Sequence, residues 1–508
     1  MIIIGDKPLT IYDVERVARH GERVALSESA VQRMNESRVW VDRVLESGQP
    51  VYGINTGFGE LSKVFIPAEE REKLQRNLIL SHCTGVGEFL SKDTARAVML
   101  LRATSLAIGY SGIRVETVRA LLDLLNNDIT PAIPCKGSVG ASGDLAPLSH
   151  MAAVLLGEGS VLKGGVGVPS GPELAAKGLS PIRLAAKEGL AFINGTQVMT
   201  AIAALVCVDA ERLMKVADIA AALSLEALRG TRAAFDRRIA AIRPHKGQGD
   251  TCDNVLALTE ASAIIADHIN CEKVQDAYSI RCVSQVHGAS KDALRRARET
   301  VDIEMNSVTD NPIVMAETGE IISGGNFHGQ PIALVMDYLK LALAELGNIS
   351  ERRLNRQVDP SLSELPAFLT AYPGVNSGFM ILQYTAASLV SENKVLVHPA
   401  SADSIPTSAN QEDHVSMGTI AARQSREILE NVKYVLGIEI LGACQGIDFL
   451  QPLTPGVGTA AVHACVRAAV PHLDEDRILN PDILAVCERI TDGSLLAAAE
   501  SAVGALKL

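Results

Sequence analysis

The sequence predicts a mainly α-helical protein, with an N-terminal helical domain carrying glycine-rich loops and a long central helical bundle behind it. Ala and Leu are plentiful while aromatic residues make up only 4% of the 508-residue chain, a composition suited to helices packed closely through small side chains. Residues 330–356, 376–397 and 415–442 each run beyond the usual length of a globular helix and are apolar around much of their circumference. A helix that is apolar on several faces must be covered on several faces, so the bundle needs partners, within the chain or from other subunits. No β-α-β alternation supports a doubly wound sheet, and no internal repeat is present.

Along the chain, Thr10 followed by Asp13 has the form of a capping box opening a helix to about Leu26. Met34, Val41, Val44 and Leu45 then recur at helical spacing and stop at Gly48. Gly53 to Gly59 reads as a loop, and so does Thr130 to Gly143, where Pro131 and Pro134 interrupt any helix. The glycine-rich run 163–171 suggests a short hairpin or flap. From about Thr196 the pattern changes to long helices, which divides the chain into a first domain, 1–195, and a bundle with C-terminal helices, 196–508.

Composition excludes several classes of function. A formal net charge of −12, with no basic run to offset it, argues against a nucleic-acid or membrane-surface partner. The nine cysteines are scattered, form no C-x-x-C pair and have no zinc-finger spacing, so they read as free thiols, with no metal site expected. The first residues meet a charge at Asp6 without a basic region before it, unlike a signal peptide. The longest uncharged apolar runs, such as 378–390, fall short of a membrane span. A soluble cytoplasmic protein is expected.

The segment that carries chemistry is Ala141-Ser142-Gly143, set among the glycines and small residues from Gly137 to Asp144. If the backbone nitrogen of Gly143 attacks the carbonyl carbon of Ala141, a five-membered ring closes. Loss of two waters, one of them from the Ser142 side chain, leaves a 4-methylidene-imidazol-5-one with an exposed methylene. Gly143 has no Cβ to block its nitrogen, Ser142 supplies the hydroxyl that departs, and Ala141 is small. Proteins lack electrophilic side chains and usually borrow cofactors for electron-sink chemistry. Such a ring would need no external cofactor.

Other segments set this one in context. In order they are Tyr52-Gly53-Ile54-Asn55-Thr56-Gly57-Phe58-Gly59, Asn77-Leu78-Ile79-Leu80-Ser81-His82, the cyclising segment, and Ile193-Asn194-Gly195-Thr196-Gln197. Then come Val274-Gln275-Asp276-Ala277-Tyr278-Ser279-Ile280-Arg281-Cys282, Asn306-Ser307-Val308-Thr309-Asp310-Asn311-Pro312, Gly324-Gly325-Asn326-Phe327-His328-Gly329 and Asn410-Gln411-Glu412-Asp413-His414. Spread over nearly the whole chain, these resemble the aromatic amino-acid ammonia-lyases and aminomutases, and the histidine-specific members most closely. One departure is Ala277, where many relatives carry proline.

The resemblance implies a fumarase/aspartase-like fold, a homotetramer with sites shared between subunits, and a reaction that takes ammonia from L-histidine to leave urocanate, the opening step of histidine breakdown. It also implies the site. Tyr52 is the expected base toward the β-proton, which requires surroundings that favour its phenolate because a free tyrosine has a pKa of about 10. Ser81 and His82 face the substrate side chain, where an imidazole that is left unpaired penalises a benzene ring. Glu412 is the second partner for a substrate imidazole, Arg281 clamps the carboxylate through its fork, and Tyr278, Asn194 and Gln275 are polar neighbours. Phe327 packs beside the ring. Asp144 either aids ring formation or simply begins a helix.

Rival readings are weaker. A serine hydrolase using Ser142 and His150 fails the nucleophile-elbow pattern, because Asp144 stands where its last glycine is required. No Lys-Ser/Thr follows the glycines to make a phosphate loop. A non-catalytic helical scaffold leaves the polar clusters in the glycine-rich loops without purpose. The nearest alternative keeps the electrophile and changes the substrate to tyrosine or phenylalanine, or the outcome to a 2,3-aminomutase.

Overall fold

The computed structural model describes residues 1–57, 63–269 and 274–508. Phe58 and Gly59 of the first motif, and Cys271, lie outside the described residues. Among those described, α-helices dominate, and the eight strands form four two-stranded sheets. The mainly helical class expected from composition is the class observed.

The chain divides into two compact units. The first comprises Met1–Val208, Ala297–Asp337 and Pro399–Arg423. The second comprises Asp209–Arg296, Tyr338–His398 and Gln424–Leu508. All four sheets belong to the first unit. Ile2–Ile4 pairs in parallel with Val24–Leu26, and Val86–Phe89 pairs antiparallel with Pro134–Lys136. Ser160–Lys163 with Val166–Pro169 makes the hairpin expected from the glycine-rich run, and Ile313–Met315 with Glu320–Ile322 makes another.

The capping box is present, with the Thr10 side chain on Asp13 N and the Asp13 carboxylate on Thr10 N, but the helix is Ile11–His20 and does not reach Leu26. Gly21 stops it by turning left-handed at φ 67°, and the next residues pair as a strand. Ser27 caps the following helix, Glu28–Ser47, and Gly48 ends it in the same left-handed way. The loop expected over 130–143 contains the strand Pro134–Lys136, with its proline at the first strand position, where a missing N–H is tolerated.

The long helices are Gln197–Ala227, which the sequence pattern does not delimit, and Gln330–Val358, Met380–Leu396 and Gly418–Asp448, close to the expected spans, the last beginning three residues and ending six residues later than expected. Their occasional charges are paired inside the second unit. Arg353 forks onto Glu439, at 2.5 Å from Nε and 2.9 Å from Nη2, and Ser350 also donates to that carboxylate. Asp218 takes Lys291 at 2.6 Å and His287 at 2.8 Å. These groups are fully buried, and burial is tolerated because each carboxylate has several donors. Met380–Leu396 is different: only Leu382, Ala386 and Asn393 are buried on it, while Ile381, Tyr384 and Val395 stand at 60% exposure or more. No helix among the described residues is long and apolar enough to cross a membrane.

Candidate active site

A cavity of about 1020 Å³ lies in the first unit, and Tyr52, Ser81, His82, Ala141, Ser142, Asn194, Phe327 and Glu412 all line it. Residues separated by as many as 360 positions are thus brought to one surface. Gly143 lies behind Ser142, buried. Gln275, Tyr278 and Arg281 belong to the second unit and are not among the lining residues. Tyr278 is 71% exposed, with the Arg281 guanidinium 4.4 Å over its ring.

Tyr52 sits on a tight turn. Asn55 makes it tight, accepting from Val51 N at 2.8 Å and donating to Gln49 O at 2.8 Å, while Gly53 takes φ 74°. The work of Asn55, which no local sequence pattern reveals, is to hold the loop that carries the tyrosine.

Ser81 and His82 close the helix Arg71–His82. The Ser81 hydroxyl has one proton and directs it to Leu78 O at 3.1 Å. Its oxygen also lies 3.0 Å from His82 Nδ1; with the serine proton on Leu78 O, that contact is donated by Nδ1–H and Nε2 is left to accept. Burial pushes the His82 pKa below 6.5, against a smaller opposing effect from the Leu78 carbonyl. The ring is thus neutral at pH 7, as an acceptor must be.

Glu412 is carried by an unusual loop. Ser408, Ala409 and Asn410 all have positive φ, 48°, 55° and 68°, a conformation that costs about 1–2 kcal/mol per non-glycine residue. The loop is closed by Thr407 N on Glu412 O at 2.9 Å. Glu412 Oε2 is buried without a hydrogen-bond partner among the described residues, which leaves it an open acceptor. Beside it His328 and His414 stack at 5.7 Å with their planes 4° apart, and His328 Nε2 donates to His414 O at 3.3 Å. That contact ties the Phe327 loop to the Glu412 loop.

Asn194 is held from below. Its amide nitrogen donates to Asn311 O at 3.1 Å and to Asp310 Oδ1 at 3.4 Å, and its Oδ1 has no partner among the described residues. Asp310 is paired with Lys187 at 2.7 Å, both fully buried. Arg102, fully buried as well, donates to Asn194 O at 2.9 Å and Gln197 Oε1 at 2.6 Å. Burial lowers the Arg102 pKa to about 10, with Asp310 opposing. Arg102 and Lys187 escaped the reading from sequence because nothing in their local pattern marks a buried cation.

The tripeptide itself is fixed at its glycine. Gly143 has φ 68° and bridges Gly195, and a Cβ there would lie 2.0 Å from Gly195 O. Only glycine fits. Asp144 N donates to Gly195 O at 2.7 Å. The Asp144 carboxylate does not cap its own helix, Leu145–Leu155. It caps a distant one instead, accepting from Val198 N at 3.0 Å and Met199 N at 2.9 Å. Burial raises its pKa, against the hydrogen bonds it accepts. A glycine with no room for a side chain and a serine facing a cavity suit an imidazolone formed from these three residues.

The arrangement does not suit a serine hydrolase. His150 does not line the cavity, and its Nε2 accepts from Gly85 N at 3.1 Å instead of serving Ser142.

Comparison with known proteins agrees with this geometry. Residues 9–468 match the family model described as aromatic amino acid lyase. The chain is 53% identical over 502 residues to a histidine ammonia-lyase from Alkaliphilus oremlandii, covering 99% of each chain. Among solved structures it is similar to histidine ammonia-lyase from Trypanosoma cruzi, with TM-score 0.92, 44% identity, and coverage of 99% of this chain and 95% of that one. It is also similar to a tyrosine aminomutase from Streptomyces globisporus, with TM-score 0.94, 38% identity and both chains fully covered.

Proposed function

The chain belongs to the aromatic amino acid lyase family, and from that premise we propose that it removes ammonia from L-histidine without oxidation, giving trans-urocanate. It is a carbon–nitrogen lyase. The backbone does not choose the substrate, since an aminomutase shares it closely. The observation that carries the choice is the pair of open acceptors in one cavity, His82 Nε2 and Glu412 Oε2. An imidazolium ring offers two N–H donors to that pair. A phenol offers one, and a benzene ring none, so either would leave an acceptor of the pair unpaired.

Ala141, Ser142 and Gly143 are the residues that would form the 4-methylidene-imidazol-5-one. The chemistry that group supplies is electrophilic, an exposed methylene that takes up electron density and makes the amine a better leaving group. The side chains supply the rest. Tyr52 takes the β-proton, oriented by the turn that Asn55 holds. Asn194 presents an open carbonyl oxygen for the substrate ammonium, and Phe327, lining the same cavity, would flank the ring. His82 and Glu412 fix the imidazole.

The substrate carboxylate needs a cation, and no Lys or Arg is among the described residues lining the cavity. We assign that role to Arg281 of a second copy of the chain, with Tyr278 and Gln275 beside it, in a homotetramer working in the cytoplasm. The exposed apolar residues on Met380–Leu396 support burial against other copies. Arg281→Lys keeps the charge and loses the fork, so KM for histidine should rise about tenfold or more, a change read by initial rates. An unaltered KM would remove Arg281 from the site.

His82→Leu should lower kcat/KM for histidine by about 10²-fold through loss of one acceptor. The sign of the pH dependence follows from the lowered pKa. Nε2 accepts above that pKa and is protonated below it, so the parent's kcat/KM falls on an acid limb lying below pH 6.5. The variant should lack that limb; its persistence would assign it elsewhere.

The reading is tested by incubating the purified protein separately with histidine, tyrosine and phenylalanine and following the ultraviolet absorbance of each conjugated product. Urocanate should accumulate at least about 10²-fold faster than either cinnamate. Faster turnover of tyrosine or phenylalanine would overturn the choice of substrate.

A further inference from the structure

Ser138 is 9% exposed, is absent from the cavity lining, and sits three residues before the cyclising tripeptide. Its hydroxyl touches both flanks of that tripeptide. On the near side it accepts from Gly140 N at 3.2 Å. On the far side it lies 3.3 Å from Gly143 O and 2.8 Å from Asp144 Oδ1, sharing its one proton between them. Thr419 Oγ1 stands 3.1 Å away and also donates to Asp144. The neighbouring contacts each hold one flank only. Ser416 Oγ donates to Gly140 O at 3.1 Å, Met417 N to Val139 O at 2.9 Å, and Asp144 N to Gly195 O at 2.7 Å.

We propose that Ser138 is a positioning residue for maturation of the chain: its hydroxyl pins Gly140 and Gly143 to one point and so holds the Gly143 nitrogen against the Ala141 carbonyl. The proposal rests on the cyclisation proposed above. The balance of that reaction needs no outside reagent. A bond forms from Gly143 N to the carbonyl carbon of Ala141, whose oxygen leaves as water with the protons of Gly143 N and Ser142 N, leaving a C=N bond. The second water takes the Ser142 hydroxyl and the Ser142 Cα proton, leaving a C=C bond. What Ser138 contributes is proximity: two backbone segments free to drift apart seldom meet in attacking geometry, and a shared anchor removes that freedom.

The test reads mass instead of turnover. Newly synthesised chain is sampled over time and its intact mass followed, with the denaturation midpoint as a check on folding. The parent should lose two waters. Ser138→Ala should fold and lose them about tenfold more slowly, the effect of one hydrogen bond shared with a charged group. Ser138→Thr, which restores a hydroxyl, should mature within about threefold of the parent. A folded Ser138→Ala chain that dehydrates at the parent's rate overturns the proposal, and so does a folded Ser138→Thr chain as slow as the alanine variant. If the alanine variant does not fold, Ser138→Cys, similar in size but a weak donor, must be slow, and parental speed there overturns it equally. A parent that never loses water defeats the cyclisation itself, a different result from any of these.

Discussion

Ser142→Ala is expected to lower kcat/KM for histidine by more than about 10³-fold while the protein keeps the helical content and unfolding midpoint of the parent. The size follows from what the substitution removes. In the proposed chemistry Ser142 is the source of the methylene, so without its hydroxyl the second loss of water cannot occur and no electrophile faces the cavity. Positioning and the base remain, but the amine is then a poor leaving group with nothing to take up electron density. The fold should survive because Ser142 is only half-buried and no hydrogen bond among the described residues depends on its hydroxyl, whereas Gly143 and Asp144 keep their contacts with Gly195. Initial rates, circular dichroism and thermal unfolding on the same preparation separate the two effects. Activity within tenfold of the parent would mean that the tripeptide is not the source of the chemistry.

Tyr52→Phe is expected to lower kcat by about 10²–10⁴-fold, the range for a positioned general base, with KM changed only a few-fold. Phenylalanine keeps the ring in the turn braced by Asn55 and removes the oxygen alone. In the proposed site the imidazole is held by His82 and Glu412, and the carboxylate by Arg281 of a second copy, so binding should be largely spared. Unchanged kcat would exclude Tyr52 as the base. A rise in KM at constant kcat would make it a binding residue instead.

Much of this was legible in the sequence because the signals are local. The capping box at Thr10, the hairpin at 163–171 and the apolar periodicity of 330–356 each depend on residues close in the chain. The motifs carrying Tyr52, His82, Ser142, Asn194, Phe327 and Glu412 were readable for the same reason, and the fold gathers them into one cavity. What escaped is non-local. Gly21 ends its helix early because Val24–Leu26 finds a strand partner in Ile2–Ile4, a pairing that no short window contains. Asp144 reads as the acid at a helix start, yet its carboxylate caps the helix beginning at Gln197. Lys187 and Arg102 look like surface cations until Asp310 and the Asn194 carbonyl are brought against them in the interior. The tautomer of His82 depends on which way one serine proton points.

The central claim is that residues 141–143 condense into an electrophile without help from any added molecule. Trypsin releases residues 137–163 as one peptide, bounded by Lys136 and Lys163 with no lysine or arginine between. From active enzyme that peptide should weigh two water molecules less than its sequence, with fragment ions confining the loss to Ala141, Ser142 and Gly143. The same peptide recovered at full mass from fully active enzyme would contradict the account.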